Sequence, residues 1–81
     1  MSRLEQKLDE LGYKKETYDK YKYYKFVTRF VVYINIKNRK KIGGSVFVES
    51  GYIYDDIVIE NLQQAFDEMQ KDLEVLNNVK D

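Results

Sequence analysis

Three serines, a set of carboxylates and an ample supply of lysine and tyrosine are the side chains through which this sequence could do chemistry. Histidine and cysteine are both missing. That removes the commonest general base near neutral pH, the best nitrogen ligand for a metal and the thiolate nucleophile. Ser2 stands where a helix cap is needed, and neither Ser45 nor Ser50 has a histidine to activate it. A Ser–Lys pair drawn from Lys40 or Lys41 would require a buried lysine. Glu49, Asp55, Asp56 and Glu60 could gather near one end of a sheet and hold magnesium or calcium through oxygen ligands. The calcium-loop spacing is absent, however, and adjacent aspartates ahead of an apolar run serve better as a cap and dipole partner. Gly43-Gly44 leads into a strand rather than a helix N-terminus, so it is no phosphate loop. The inventory predicts no enzyme, no cofactor and no metal site, and it points to binding.

Composition narrows the class further. The 81 residues make one domain, spanning 1–81, of a size that buries about 60–65% of its unfolded surface and has a stability of roughly 5–10 kcal/mol. Without cysteine there is no disulfide staple. No apolar run approaches the roughly 20 residues of a membrane span, and the first residues are too charged for a signal peptide. The expected location is the cytoplasm, away from membranes. Formal charge cancels at 14 basic against 14 acidic side chains. The cancellation hides a polarity, because residues 1–48 carry 12 basic and 5 acidic groups while residues 49–81 carry 2 and 9. Such asymmetry marks a basic surface for nucleic acid, an acidic surface for a basic partner, or two halves that face each other across the fold.

The elements that must position these charges follow from patterning. Ser2 and Glu5 form a capping box, Leu4, Leu8 and Leu11 share a face, and Gly12 suits the left-handed stop, giving a helix over about 3–11. Residues 13–36 switch to period two. An edge strand near Tyr13–Tyr18 turns at Asp19-Lys20 into a long strand. On that strand Tyr24, Phe26, Thr28, Phe30, Val32, Ile34 and Ile36 form the core side. Asn38-Arg39 makes the next turn, and residues 40–49 return with Ile42, Val46 and Val48 on one side. Gly43-Gly44 suggests a bulge there. Gly51 starts another reversal, with Tyr52–Tyr54 extending the sheet. Leu62, Ala65, Phe66, Met69, Leu73 and Leu76 then mark a helix over roughly 58–77. The fold class is α+β: a two-layer sandwich with a three- to four-stranded antiparallel sheet, a short N-terminal helix and a longer C-terminal helix on one face.

With both helices on one side, the other face of the long strand has nothing to shield it. Tyr23, Lys25, Val27, Arg29, Val31 and Tyr33 alternate aromatic, branched and cationic side chains there, joined by Phe47 from the neighbouring strand. The partner-binding set is Tyr23, Lys25, Arg29, Val31, Tyr33 and Phe47. The face could be solvated, with lysine and arginine stems covering the rings. It could bind a protein partner or a second copy, for which tyrosine and arginine are preferred anchors. A nucleic acid would use Lys25, Arg29, Lys37, Arg39, Lys40 and Lys41, although the ribonucleoprotein signature is missing. On the last helix Glu60, Asp67 and Glu74, with Glu68 and Asp72 to one side, lie outside the apolar stripe as a solvated or phosphate-mimicking ridge.

The runs Glu10-Leu11-Gly12-Tyr13-Lys14-Lys15, Tyr33-Ile34-Asn35-Ile36-Lys37-Asn38, Lys41-Ile42-Gly43-Gly44, Asn61-Leu62-Gln63-Gln64-Ala65-Phe66 and Lys71-Asp72-Leu73 together resemble small proteins encoded by phages and prophages of low-GC Gram-positive bacteria. That resemblance implies an α-β-β-β-α fold. Proteins of this size and origin include inhibitors of host defence nucleases, anti-CRISPR proteins among them, which act by binding. The resemblance carries over no functional residue.

Overall fold

Helix α1 (Arg3–Glu10) opens as its cap predicts: Ser2 Oγ accepts the Glu5 N–H at 3.1 Å and donates to the Glu5 carboxylate at 3.3 Å. It stops because Gly12 takes φ +94°, which lets the Tyr13 N–H reach back to the Leu8 carbonyl and the Gly12 N–H to that of Asp9. The same reversal drops Tyr13 into the core beside Leu8. In the computed structural model, which describes residues 2–48 and 56–79 without the side chains of 56–58, four strands and a second helix follow. They are β1 (Lys14–Lys15), β2 (Lys22–Val27), β3 (Phe30–Asn35), β4 (Gly43–Val48) and α2 (Asp56–Asn77). The strands form an antiparallel meander in chain order, with the helices packed on one face. Among the described residues no helix is long and apolar enough to cross a membrane.

The long strand expected over 20–36 is a hairpin. Its two strands meet with Val27 opposite Phe30 across a two-residue turn, Thr28-Arg29. Thr28 sits at φ 57°, a conformation that a β-branched residue adopts only under strain. Because paired positions 27 and 30 differ in parity, the odd residues of β2 share a face with the even residues of β3. Phe30, Val32, Ile34 and Ile36 are buried under the helices as expected. Tyr23 and Lys25, expected on the open face, pair with Ile34 and Val32 and turn toward the helices. Tyr24 and Phe26, expected in the core, lie on the open face instead. Thr28 belongs to neither face.

The bulge expected at Gly43-Gly44 does not form, since the ladder runs unbroken from Asn35↔Gly43 to Phe30↔Val48. Close approach explains the second glycine. A Cβ on Gly44 would stand 3.0 Å from both Ile34 Cδ1 and the Tyr33 carbonyl oxygen, and 3.1 Å from Met69 Sδ. Gly43 has open space around it.

Helix α2 supplies Ala65, Met69 and Leu76 to the core that Leu4, Leu8, Tyr13, Tyr23, Ile34 and Ile42 complete. Leu62 and Leu73 flank this stripe. Phe66, expected within it, is 43% exposed, and the fourth buried position of the stripe is Asp72 at 2%. Near the helix end, Asn77 accepts the Ile42 N–H at 2.9 Å and donates to its carbonyl at 3.2 Å. That side chain clips α2 onto the β3–β4 connection. Asp55 and the Tyr52–Tyr54 extension lie outside the described residues, as does the reversal at Gly51.

The glycine pair gives a direct check on this packing. Gly44→Val should lower the urea midpoint by the equivalent of about 1–3 kcal/mol, the cost of overpacking. Gly43→Val should be neutral or mildly stabilising, because a β-branched residue suits a strand.

Candidate functional site: a buried tether and an open aromatic face

Two constellations stand out, one on each side of the sheet. On the helix side Lys25 Nζ donates to Asp72 Oδ2 at 2.6 Å, to Glu68 at 3.3 Å and to the Leu11 carbonyl at 3.2 Å. The Tyr13 hydroxyl donates to the same Asp72 oxygen at 2.7 Å, and the lysine ammonium lies 4.6 Å from the Tyr13 ring centroid. The group thus ties β2, α2 and the end of α1 together. Desolvation first, and the Asp72 carboxylate second, push the Tyr13 phenol far above the usual tyrosine range. Burial likewise raises Tyr23, with Glu5 adding to the shift and Arg39 opposing it. The hydrogen bonds of the Lys25 cluster join three elements, which gives it a structural role. Sequence reasoning placed Lys25 in the binding set and Asp72 on a solvated ridge. Both are corrected here, since a carboxylate at helical spacing among apolar residues looks solvated until its cation is found.

Among the described residues, no helix lies on the opposite face. Register places Phe26, Val31 and Phe47 in one row, Tyr24, Tyr33 and Ser45 in the next, and Lys22, Asn35 and Gly43 in the third. Phe26 and Phe47 are 56% and 55% exposed, whereas Val31 between them is buried. The rings pack edge to face, Tyr24 on Phe26 at 5.8 Å and Tyr33 on Phe47 at 5.6 Å. Lys22 holds its ammonium 4.3 Å from the Tyr33 ring centroid and donates to the Tyr18 hydroxyl at 3.2 Å, a bond that raises the lysine above its ordinary value. A shallow concavity of about 650 Å³ runs along this surface, with a second of about 350 Å³ toward Asn35 and Gly43.

Of the expected partner-binding residues, the structure brings Val31, Tyr33 and Phe47 together on the open face. Tyr23 and Lys25 are on the far side, and Arg29 is exposed at the hairpin tip. Tyr24, Phe26 and Lys22 take their places. The turn at Thr28-Arg29 was the signal that could have found them, and it carries no glycine, asparagine or proline to announce itself. Lys37, Lys40 and Lys41 are exposed on the β3–β4 connection with Arg39. Glu49, Asp55 and the Asp56 side chain lie outside the described residues, and Glu60 is exposed on α2. Among the described residues, no three potential ligands gather as a metal site would require. No protein-family model matches the chain, and no curated protein or solved structure matches it.

Two measurements test the tether. Lys25→Met should cost about 3–5 kcal/mol by leaving the Asp72 carboxylate buried without its cation. The triple variant Tyr13→Phe, Lys25→Met, Asp72→Leu should recover much of that loss in chemical denaturation. The raised Tyr13 phenol also gives an alkaline signature. The folded state keeps a proton that the unfolded state sheds near pH 10. The associated stability is therefore fully present below about pH 10 and drains away above it. Wild type should lose stability faster than Tyr13→Phe there, by up to about 1.4 kcal/mol per pH unit.

Proposed function

We propose that this chain is a non-enzymatic, cytoplasmic interaction protein that binds a protein partner through the open face of its sheet. The reading rests on one observation: Phe26 and Phe47, each more than half exposed, flank Val31 on a face that no helix covers among the described residues. Leaving two phenylalanines half exposed forgoes on the order of 1 kcal/mol apiece of burial, which a partner can recover. Tyr24 and Tyr33 beside them offer broad contact area with few rotatable bonds and polar tips. The chemistry-bearing residues point the same way, because histidine and cysteine are absent from the sequence. The resemblance to small phage and prophage proteins suggests what such binding does. The partner is a host protein, a defence nuclease in the first instance, and occupancy of its surface inhibits it.

Tagged wild-type protein, used to capture partners from host lysate, tests this directly. Phe47→Asp and Phe26→Asp should each weaken capture about tenfold or more. Both should leave the thermal midpoint close to wild type, because these rings are already largely in water. A partner retained equally by wild type and both variants would place binding elsewhere.

A further inference from the structure

We infer that the partner presents to this face a segment that is apolar at one end and acidic at the other; the inference rests on the reading of the open face as a binding surface. Charge placement carries it. The Phe26, Val31 and Phe47 row lies at the hairpin end of the sheet, with Arg29 nearby as the described cation. At the other end the Lys22, Asn35 and Gly43 row closes the ladder, and the Ile36 N–H donates to the Tyr21 carbonyl at 2.9 Å. The β3–β4 connection and the chain entering β2 therefore share that end. They place Lys20, Lys22, Lys37, Lys40 and Lys41 at the same end of the sheet.

Among the described residues, none of these five lysines makes an ion pair, whereas Lys7 and Lys25 do. Among the described residues, Glu16 and Asp19 are the carboxylates at this end; Glu16 lies close enough to raise Lys22, and Asp19 accepts the Tyr21 N–H at 2.9 Å, which leaves the five lysines in excess. The acids Glu60, Asp67, Glu68, Asp72 and Glu74 sit on α2, across the sheet. Zero net charge thus conceals a cationic end next to an apolar one. The lysines are also held ready. The Lys37 N–H donates to Asn35 Oδ1 at 2.9 Å and the Lys40 N–H to Asn38 Oδ1 at 3.1 Å, while Ile36 and Ile42 anchor the connection in the core.

The same charges argue against a nucleic acid strand. A strand stacks its bases on open ring faces and needs cations along its whole path. Here the Lys22 ammonium already covers the Tyr33 ring, and the ring pairs meet at 76° and 70° instead of presenting parallel platforms. Phosphates crossing the Phe26 and Phe47 row would find little to neutralise them. A protein segment with an apolar side chain over Val31 and carboxylates over the lysine end satisfies both halves of the surface.

Fluorescence anisotropy with three probes tests this on the full chain. The first is a synthetic peptide with an apolar stretch followed by several aspartates. The second replaces those aspartates with asparagines, and the third is a thymidine oligonucleotide of matching charge. The acidic peptide should bind, weaken with salt, and lose about tenfold in affinity with Lys40→Glu plus Lys41→Glu and again with Phe47→Asp. Equal binding of the asparagine peptide, tighter binding of the oligonucleotide, or no binding of the acidic peptide in low salt would each overturn the inference. Lysate capture separates the two levels. A partner lost with Phe47→Asp but indifferent to lysine reversal leaves the binding face standing and removes the acidic segment.

Discussion

Asp72 is buried in the middle of the apolar stripe of α2, with Lys25 2.6 Å away and the Tyr13 hydroxyl at 2.7 Å. Such a pair adds little net stability, because taking both charges out of water consumes most of what their attraction returns. Its consequence is selective. Strand β2 could turn either of two faces to the helices, and the competing face carries Tyr24 and Phe26. Hydrophobic burial alone would favour that face only slightly, by on the order of 1 kcal/mol, since Tyr24 and Phe26 would replace Tyr23 and Val27. Turning it inward would carry Lys25 to solvent and leave Asp72 buried without a counter-charge, at a cost of about 3–5 kcal/mol. The ion pair and the parity of the Thr28-Arg29 turn therefore favour the same solution. The rotation of α2, the side β2 presents and the seat of Tyr13 at the end of α1 are all bound up in this one contact.

The surface is a by-product of that choice. Sending Lys25 inward sends Tyr24 and Phe26 outward, where they meet Val31, Tyr33 and Phe47 across the ladder. The apolar material that the core gives up is gathered into one concave strip instead of being scattered singly over the molecule. Charge is sorted by the same geometry. Among the described residues, Lys25 is the sheet lysine that pairs with acids of α2, and the other lysines of the strands and turns form no ion pair with that helix. A sequence whose formal charges cancel thus folds into a body with one cationic end, one acidic helix and an aromatic strip between β2 and β4.

Much of the frame was legible before any coordinates. The Ser2 and Glu5 cap, the Gly12 stop, the even-numbered core of β3, the Ile42, Val46 and Val48 side of β4 and most of the α2 stripe are local statements. Propensity, periodicity and capping act over a few residues, so sequence spacing reveals them. Less of the open face could be read. Val31, Tyr33 and Phe47 were identified because they follow or oppose the turn in a regular ladder. Tyr23 and Lys25 were assigned to the wrong side because alternation continues unbroken through a turn that has no turn residues. The glycine pair misled for a related reason. A missing side chain signals room that something else occupies, and at Gly44 that something is Met69 from the far end of the chain.

The sequence by itself determined the class of the fold, the approximate helix limits and the lack of histidine and cysteine, since each depends on residue types and short spacings. Only the tertiary structure decided which face of β2 is inside, that Asp72 is a buried partner, and which aromatic residues remain uncovered. The physical reason is distance along the chain. Lys25 and Asp72 are 47 residues apart, and no local pattern encodes an attraction that exists only after the sheet and the helix have met.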